Sequence, residues 1–165
     1  MPMPQLVEDE LAIRRVLARY CHALDRMDKP AAYSVWHPHG TAHYHGIYEG
    51  SGHGFVDWVW TAHAVMERHS HQIAQSLIEV SADSAISETY VTVCLWTMPD
   101  DTGDQQELVA RGRYLDRWAR LDQRWAIEQR EFVTDLHSVT DLQRAEVSES
   151  SARDASDPVF ALFGK

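Results

Sequence analysis

Histidine is the side chain whose charge changes closest to neutral pH, and this 165-residue chain carries ten, eight of them between His37 and His71. Proton-transfer or metal chemistry is therefore sought first in that stretch. His43 and His45 alternate, and alternate residues of a strand face the same side, so the pair could ligate one metal ion together. No further ligand motif follows them, and they read more simply as partly exposed or core-edge histidines of a half-buried strand. No metal centre is expected.

A second constellation is Tyr20, Asp25 and His71. Asp25 falls at the C-terminal end of an amphipathic helix, where the dipole opposes a carboxylate by ~0.3–1 kcal/mol. An acid placed there needs a reason. Tyr20 lies on the apolar face of the same helix, so the helix end carries both groups inward. The plainer alternative makes Asp25 and Asp28 loop acids around the helix stop, with Arg26 as a surface counterion. If His71 meets Asp25, its ring is held in one tautomer and its conjugate acid is stabilised, which makes it a better base near neutral pH. His71 would then take the proton of an acidic C–H while Tyr20 stabilises an oxyanion or helps a leaving group depart. Trp58, Trp60, Trp96, Tyr90 and Phe132 would wall a pocket for a hydrophobic or ring-shaped substrate, although each taken singly reads as core. This chemistry needs no cofactor.

The elements that must position these residues follow from periodicity. Leu6, Ile13, Val16, Leu17, Tyr20 and Leu24 share one helical face, with Glu8, Asp9 and Glu10 in a first turn where the dipole favours acids. A helix is predicted from just after Pro4 to Leu24 or Asp25. Lys29-Pro30 opens a second helix running to about Trp36, stopped by His37-Pro38-His39-Gly40. Residues 41–48 read as a strand and 49–52 as its exit turn. Phe55, Val56, Val59, Trp60, His63 and Met66 predict a third helix ending before His69. Runs rich in Val, Ile, Thr, Tyr and Trp then predict strands at 71–80, 85–98, 107–121 and 124–137. Asp83 and residues 98–104 mark turns between them, and Asp122-Gln123 a two-residue hairpin turn. Helices followed by antiparallel strands make an α+β fold, a curved sheet with helices packed on one face. Its other face, apolar in places along residues 91–96 and 114–118, is the kind of surface that forms an interface. One domain is expected over residues 1–144. The tail at 145–165 is Ser-rich and charged at first, then apolar enough at 158–163 to dock.

Several features in order carry a family resemblance: Tyr20-Cys21-His22-Ala23-Leu24-Asp25-Arg26-Met27-Asp28, then Trp36-His37-Pro38-His39-Gly40, then His71 with Gln75, then Trp125-Ala126-Ile127-Glu128-Gln129-Arg130. Over about residues 6–138 the chain resembles the SnoaL-like branch of the nuclear transport factor two-like superfamily. Within it, the chain is similar to scytalone dehydratase, hexachlorocyclohexane dehydrochlorinase and bile acid 7α-dehydratase. The resemblance implies a cone-shaped, cystatin-like α+β barrel with a mixed, mainly antiparallel sheet. It implies an Asp25–His71 dyad assisted by Tyr20 and Arg130, in a cofactor-independent lyase that performs β-elimination, as a dehydratase or dehydrohalogenase, on a small hydrophobic or cyclic substrate. It also implies a homo-oligomer, a trimer before a dimer. An isomerase or polyketide cyclase of the same fold, or a non-catalytic domain that binds a small ligand, stays open beside it. So does the choice of histidine, because His69 has the strand parity of His71. Arg130 has the opposite parity to Trp125 and Ile127, and a regular strand would send it to the other sheet face. A bulge, or a pocket on that other face, is required.

Composition removes other classes. Fifteen Lys and Arg against 25 Asp and Glu leave a net charge of −10, the wrong sign for counterion-release binding to nucleic acid or to anionic membranes. Cys21 and Cys94 are too few for a secretory disulfide framework. The N-terminal residues lack the pattern of a signal peptide, and no run of about 18 apolar residues suggests a bilayer span. A cytoplasmic location is expected.

Overall fold

In the computed structural model, which describes residues 3–143 and 145–164, the periodic apolar residues of the N-terminus form α1 (Met3–Asp25), with Ile13, Leu17, Tyr20 and Leu24 buried. Glu8, Asp9 and Glu10 lie beyond its first turn because the helix starts at Met3. Asp9 is instead a buried acceptor, receiving hydrogen bonds from Trp125 Nε1 at 3.0 Å and Arg120 Nη2 at 2.9 Å. Helix α2 (Lys29–Ser34) has Pro30 in its first turn and Asp28 as its cap. It stops short of Trp36, which opens β1 (Trp36–Tyr44). The segment that stops the helix thus also enters the first strand. Pro38 is tolerated there because the pairing of β1 is interrupted between Trp36 and Thr41, so its missing N–H removes no ladder bond. The expected exit turn contributes a further short strand, β2 (Tyr48–Ser51), and Ser51 caps α3 (Gly52–Ala64).

The β half follows as β3 (Met66–Ser81), β4 (Ser84–Thr97), β5 (Gln105–Leu121) and β6 (Arg124–Leu142). Asp122 and Gln123 have φ of 47° and 66°, the pair of positive values that a two-residue type I′ hairpin turn requires. The six strands make one curved, open sheet in the order β2-β1-β6-β5-β4-β3, antiparallel except where β1 runs parallel to β6. Curvature has a local source at Gly112, next to a register shift in the β5–β6 pair. A Cβ there would stand 2.2 Å from the Val133 carbonyl oxygen, so only glycine allows the two strands to bend together this closely.

Helix α1 packs along β3 and β6, and α3 against β1. The core lies between these helices and the inner face of the sheet. Tyr114, Asp116 and Trp118 point into it, which corrects the expectation that residues 114–118 contribute an apolar stripe to the opposite face. Leu77, Ile86, Tyr90 and Leu136 are apolar residues exposed on the outer face. Among the described residues no helix is long and apolar enough to cross a membrane. The tail contains a short helix, α4 (Pro158–Leu162); the proposed domain boundary at residue 144 lies outside the described residues.

Candidate active site

The C-terminus of α1 is closed by backbone bonds from Asp28 N–H to the Ala23 carbonyl (2.9 Å) and from Met27 N–H to the Leu24 carbonyl (3.1 Å), with Met27 at φ 53°. This is a Schellman closure with a non-glycine residue in the left-handed region, a conformation that costs roughly 1–2 kcal/mol. It fixes the direction in which Asp25, two residues earlier, leaves the helix. Asp25 faces the free edge of β3, where it holds His71 twice. Asp25 Oδ1 accepts from the imidazole at Nδ1 (2.7 Å), and Oδ2 accepts from the His71 backbone N–H (2.9 Å). The side chains of His71 and Asp25 are only 5% and 14% exposed. With the proton on Nδ1 shared to the carboxylate, Nε2 carries the lone pair and is the atom left to accept a proton.

Two further histidines surround this pair. His69, the competitor by parity, has Nε2 2.7 Å from the Leu24 carbonyl, so it donates to one of the orphan carbonyls at the end of α1. His63, from the buried face of α3, has its ring centroid 4.2 Å from that of His69 and 5.7 Å from that of His71. Burial, then the neighbouring imidazoles, hold His63 down to about 2; burial is also the main cause that brings His69 down to about 4. Both rings are therefore neutral near pH 7, which leaves the Asp25 carboxylate as the charged group bonded to His71. Sequence reasoning placed His63 on the apolar face of its helix but missed its association with the dyad.

These depressed values dictate an acid sensitivity. In the unfolded chain both rings protonate below about pH 6.5, whereas in the folded chain they stay neutral down to about 4 and about 2. Their contribution to stability is thus fully present above pH 6.5 and is lost as pH falls toward 4, by up to ~1.4 kcal/mol per pH unit for each ring. Urea unfolding between pH 7 and pH 5 should show this slope, and His63→Leu should remove about half of the two-ring part. A His63→Leu profile as steep as that of the parent chain would refute the assignment.

The parity problem of Arg130 is resolved by a bulge. Trp118 pairs with Ile127 but Arg117 with Gln129, so Glu128 is an extra residue on β6 and the side chains from Gln129 to Thr134, up to the second shift beside Gly112, change face. Arg130 consequently turns inward, fully buried. It makes a bidentate pair with Asp116 at 2.7 and 2.8 Å. Its guanidinium lies between two rings, 3.9 Å from the centroid of Tyr114 and 4.4 Å from that of Tyr20. Among the described residues Nη1 has no hydrogen-bond partner. Tyr20 OH is 2.9 Å from Tyr44 OH, and burial pushes both phenols above their ordinary range, so both keep their protons. Asp116, Tyr44 and Tyr114 were missed from the sequence. Their inward parity beside Trp118 and Ala42 was the available signal.

The structure therefore assembles two polar groups on one inner surface, Asp25 with His71 and Tyr20 with Arg130. Tyr20 and Asp25 are separated by about 7.5 Å of helix rise. The thiol of Cys21, pushed up to about 12 by burial, lies within electrostatic reach of Arg130, Asp25 and Asp116. Phe132 joins the second group through Tyr44 and Tyr114, with centroids 5.4 and 5.5 Å away. The tryptophans expected as pocket walls do not gather there. Trp58 is 39% exposed and stacks on Phe55, Trp60 lies near Lys29 of α2, and Trp96 shares a groove with Arg68, Leu142 and the tail. Tyr90 is exposed on the outer face and Gln75 in a bulge of β3. A groove of about 370 Å³ on the outer face, lined by Leu77, Ile86, Leu115 and Glu131 among others, includes neither Asp25 nor His71. Residues of the tail cross the dyad end of the molecule: Arg26 bonds the Ala152 carbonyl and Asp157, and Arg153 bonds the His63 carbonyl.

A model of the SnoaL-like domain family matches residues 5–131. Among solved structures, a protein of Novosphingobium aromaticivorans assigned as a scytalone dehydratase is similar to this chain at 17% identity and TM-score 0.71, covering 86% of this chain and 91% of that one. A hexachlorocyclohexane dehydrochlorinase of Novosphingobium barchaimii is similar at 19% identity and TM-score 0.66, covering 86% and 95%. A Mycobacterium tuberculosis protein of unknown function is similar at 22% identity and TM-score 0.70, covering 82% and 76%. No curated protein matches the sequence.

Proposed function

Since the chain belongs to the SnoaL-like domain family, we propose that it is a cofactor-independent lyase acting by β-elimination on a small hydrophobic or cyclic substrate. The observation that carries the reading is the double grip of Asp25 on His71, which leaves Nε2 as an oriented acceptor. In the proposed step Nε2 takes a proton from a carbon next to an electron-withdrawing group. The C–H electron pair becomes a new carbon–carbon double bond, and the leaving group departs from the neighbouring carbon with its bonding pair, as halide or, after protonation, as water. Asp25 is a positioning residue that also stabilises the imidazolium. The Tyr20–Tyr44 phenols supply protonated donors for a developing oxyanion or the departing oxygen, and Arg130 adds positive potential behind Tyr20. The names of the similar dehydratase and dehydrochlorinase support this reaction class.

The test uses cyclic β-hydroxy ketones and halogenated alicyclic compounds, following absorbance of the unsaturated product together with halide release or the loss of water by mass. Turnover should occur without added metal or nucleotide and should be insensitive to EDTA. A product of unchanged mass would replace elimination by isomerisation or cyclisation, and saturable binding without any product would replace catalysis by ligand binding.

A further inference from the structure

On the sheet face opposite the dyad, His43, His45 and Glu131 place one ligand atom each within 4.8 Å of one another. We propose that these residues form a binding site for a divalent first-row transition metal ion, separate from the elimination site. Each member is held there by backbone geometry. His43 and Glu131 are direct partners in the parallel β1–β6 pair, so their side chains emerge side by side. His45 follows in a tight turn in which Ile47 N–H bonds the Tyr44 carbonyl at 2.8 Å, with Gly46 at φ 71°. That left-handed position suits glycine, and the turn folds His45 back so that its ring centroid lies 4.0 Å from that of His43. His45 Nε2 already meets Glu131 Oε1 at 2.6 Å.

Two imidazoles and one carboxylate are the ligand set that borderline divalent ions such as Zn²⁺ take when coordination positions remain open. An ion would take the place of the hydrogen between His45 and Glu131, and the small rotation needed to bring the atoms to about 2.0–2.2 Å from it is available on this half-exposed surface. Side-chain exposures of 53% for His45 and 37% for Glu131 leave an entry path. Glu131 also lines the outer groove beside Leu77 and Leu115, so the open coordination positions adjoin that groove. The same strand contains an internal comparison. His37 and His39 have the same spacing, with ring centroids 5.8 Å apart, but among the described residues no carboxylate completes a set with them.

The site is tested by titrating tag-free, EDTA-treated protein with Zn²⁺ by calorimetry near neutral pH, with Co²⁺ absorption as a second readout. One equivalent should bind, with a Kd in the micromolar range or tighter and with release of protons. Removing a ligand should cost no less than the tenfold or more seen for outer-shell partners, so Glu131→Gln and His45→Ala should each weaken binding by at least about tenfold. His43→Ala with His45→Ala should abolish it, while His37→Ala with His39→Ala, and separately His71→Ala, should leave it intact. Circular dichroism establishes that each variant is folded. Absence of stoichiometric binding, or binding that survives loss of both His43 and His45, would overturn the site. Neither result bears on elimination, which is read in EDTA.

Discussion

His71→Ala should lower turnover by on the order of 10²–10⁴, the usual contribution of a positioned general base, while leaving the chain folded. Asp25→Asn should come close to that loss for a reason visible in the hydrogen bonds. Asp25 offers one oxygen to the His71 backbone N–H and the other to the ring. An amide has only one acceptor. The backbone N–H is always a donor and must keep it, so the amide NH₂ faces Nδ1, which then has to accept. That forces the proton onto Nε2 and occupies the atom proposed to attack the substrate. The variant should therefore lose kcat far more than it loses stability, in contrast to a packing defect. His43→Ala should leave turnover within a few-fold. His69→Ala should act mainly on stability, since His69 serves the Leu24 carbonyl. Retention of turnover within about tenfold in His71→Ala, well below what a base supplies, would eliminate the dyad mechanism.

Arg130 and Asp116 should give the largest stability effects. Both side chains are fully inaccessible to solvent, and removing one member of such a pair strands the other charge, which costs about 3–5 kcal/mol. Arg130→Met should incur that cost even though burial already pushes the Asp116 carboxyl above its ordinary range against the pull of Arg130, because stacking on Tyr20 and Tyr114 goes as well. Asp116→Leu leaves an uncompensated guanidinium and should be at least as severe. In a domain of this size the loss corresponds to roughly 10 °C in Tm. Combining Arg130→Met with Asp116→Leu should be less damaging than the sum of the single changes, since well-packed apolar replacements remove the desolvation cost of both ions. Urea denaturation of the four proteins reads the cycle directly. Single variants within about 1 kcal/mol of the parent, or full additivity, would show that the pair is not coupled in this way.

Local chemistry was enough to read α1 with its buried stripe, the hairpin turn at Asp122 and Gln123, the long strands of the second half, and the order of motifs that identifies the family. The pairing of Asp25 with His71 came from the family resemblance, since local chemistry left Asp25 equally readable as a loop acid beside the helix stop. Other features depend on which strands lie side by side. Pro38 reads locally as a stop, and becomes tolerable only where β1 makes no ladder bonds. Arg130 reads as outward until the extra residue Glu128 reverses the parity of β6. Asp116 acquires its role only from that reversal, and His63 only from the packing of α3 over β3. Glu131 joins His43 and His45 across an interval of more than eighty residues, because β1 inserts in parallel beside β6. Side-chain periodicity is a property of neighbours along the chain, whereas bulges, registers and the choice of strand partners are settled by burying a common core. Periodicity along the chain was thus enough for most of the elements, whereas the burial of a common core settled the strand entry at Trp36, the short strand β2 and which polar residues share the interior.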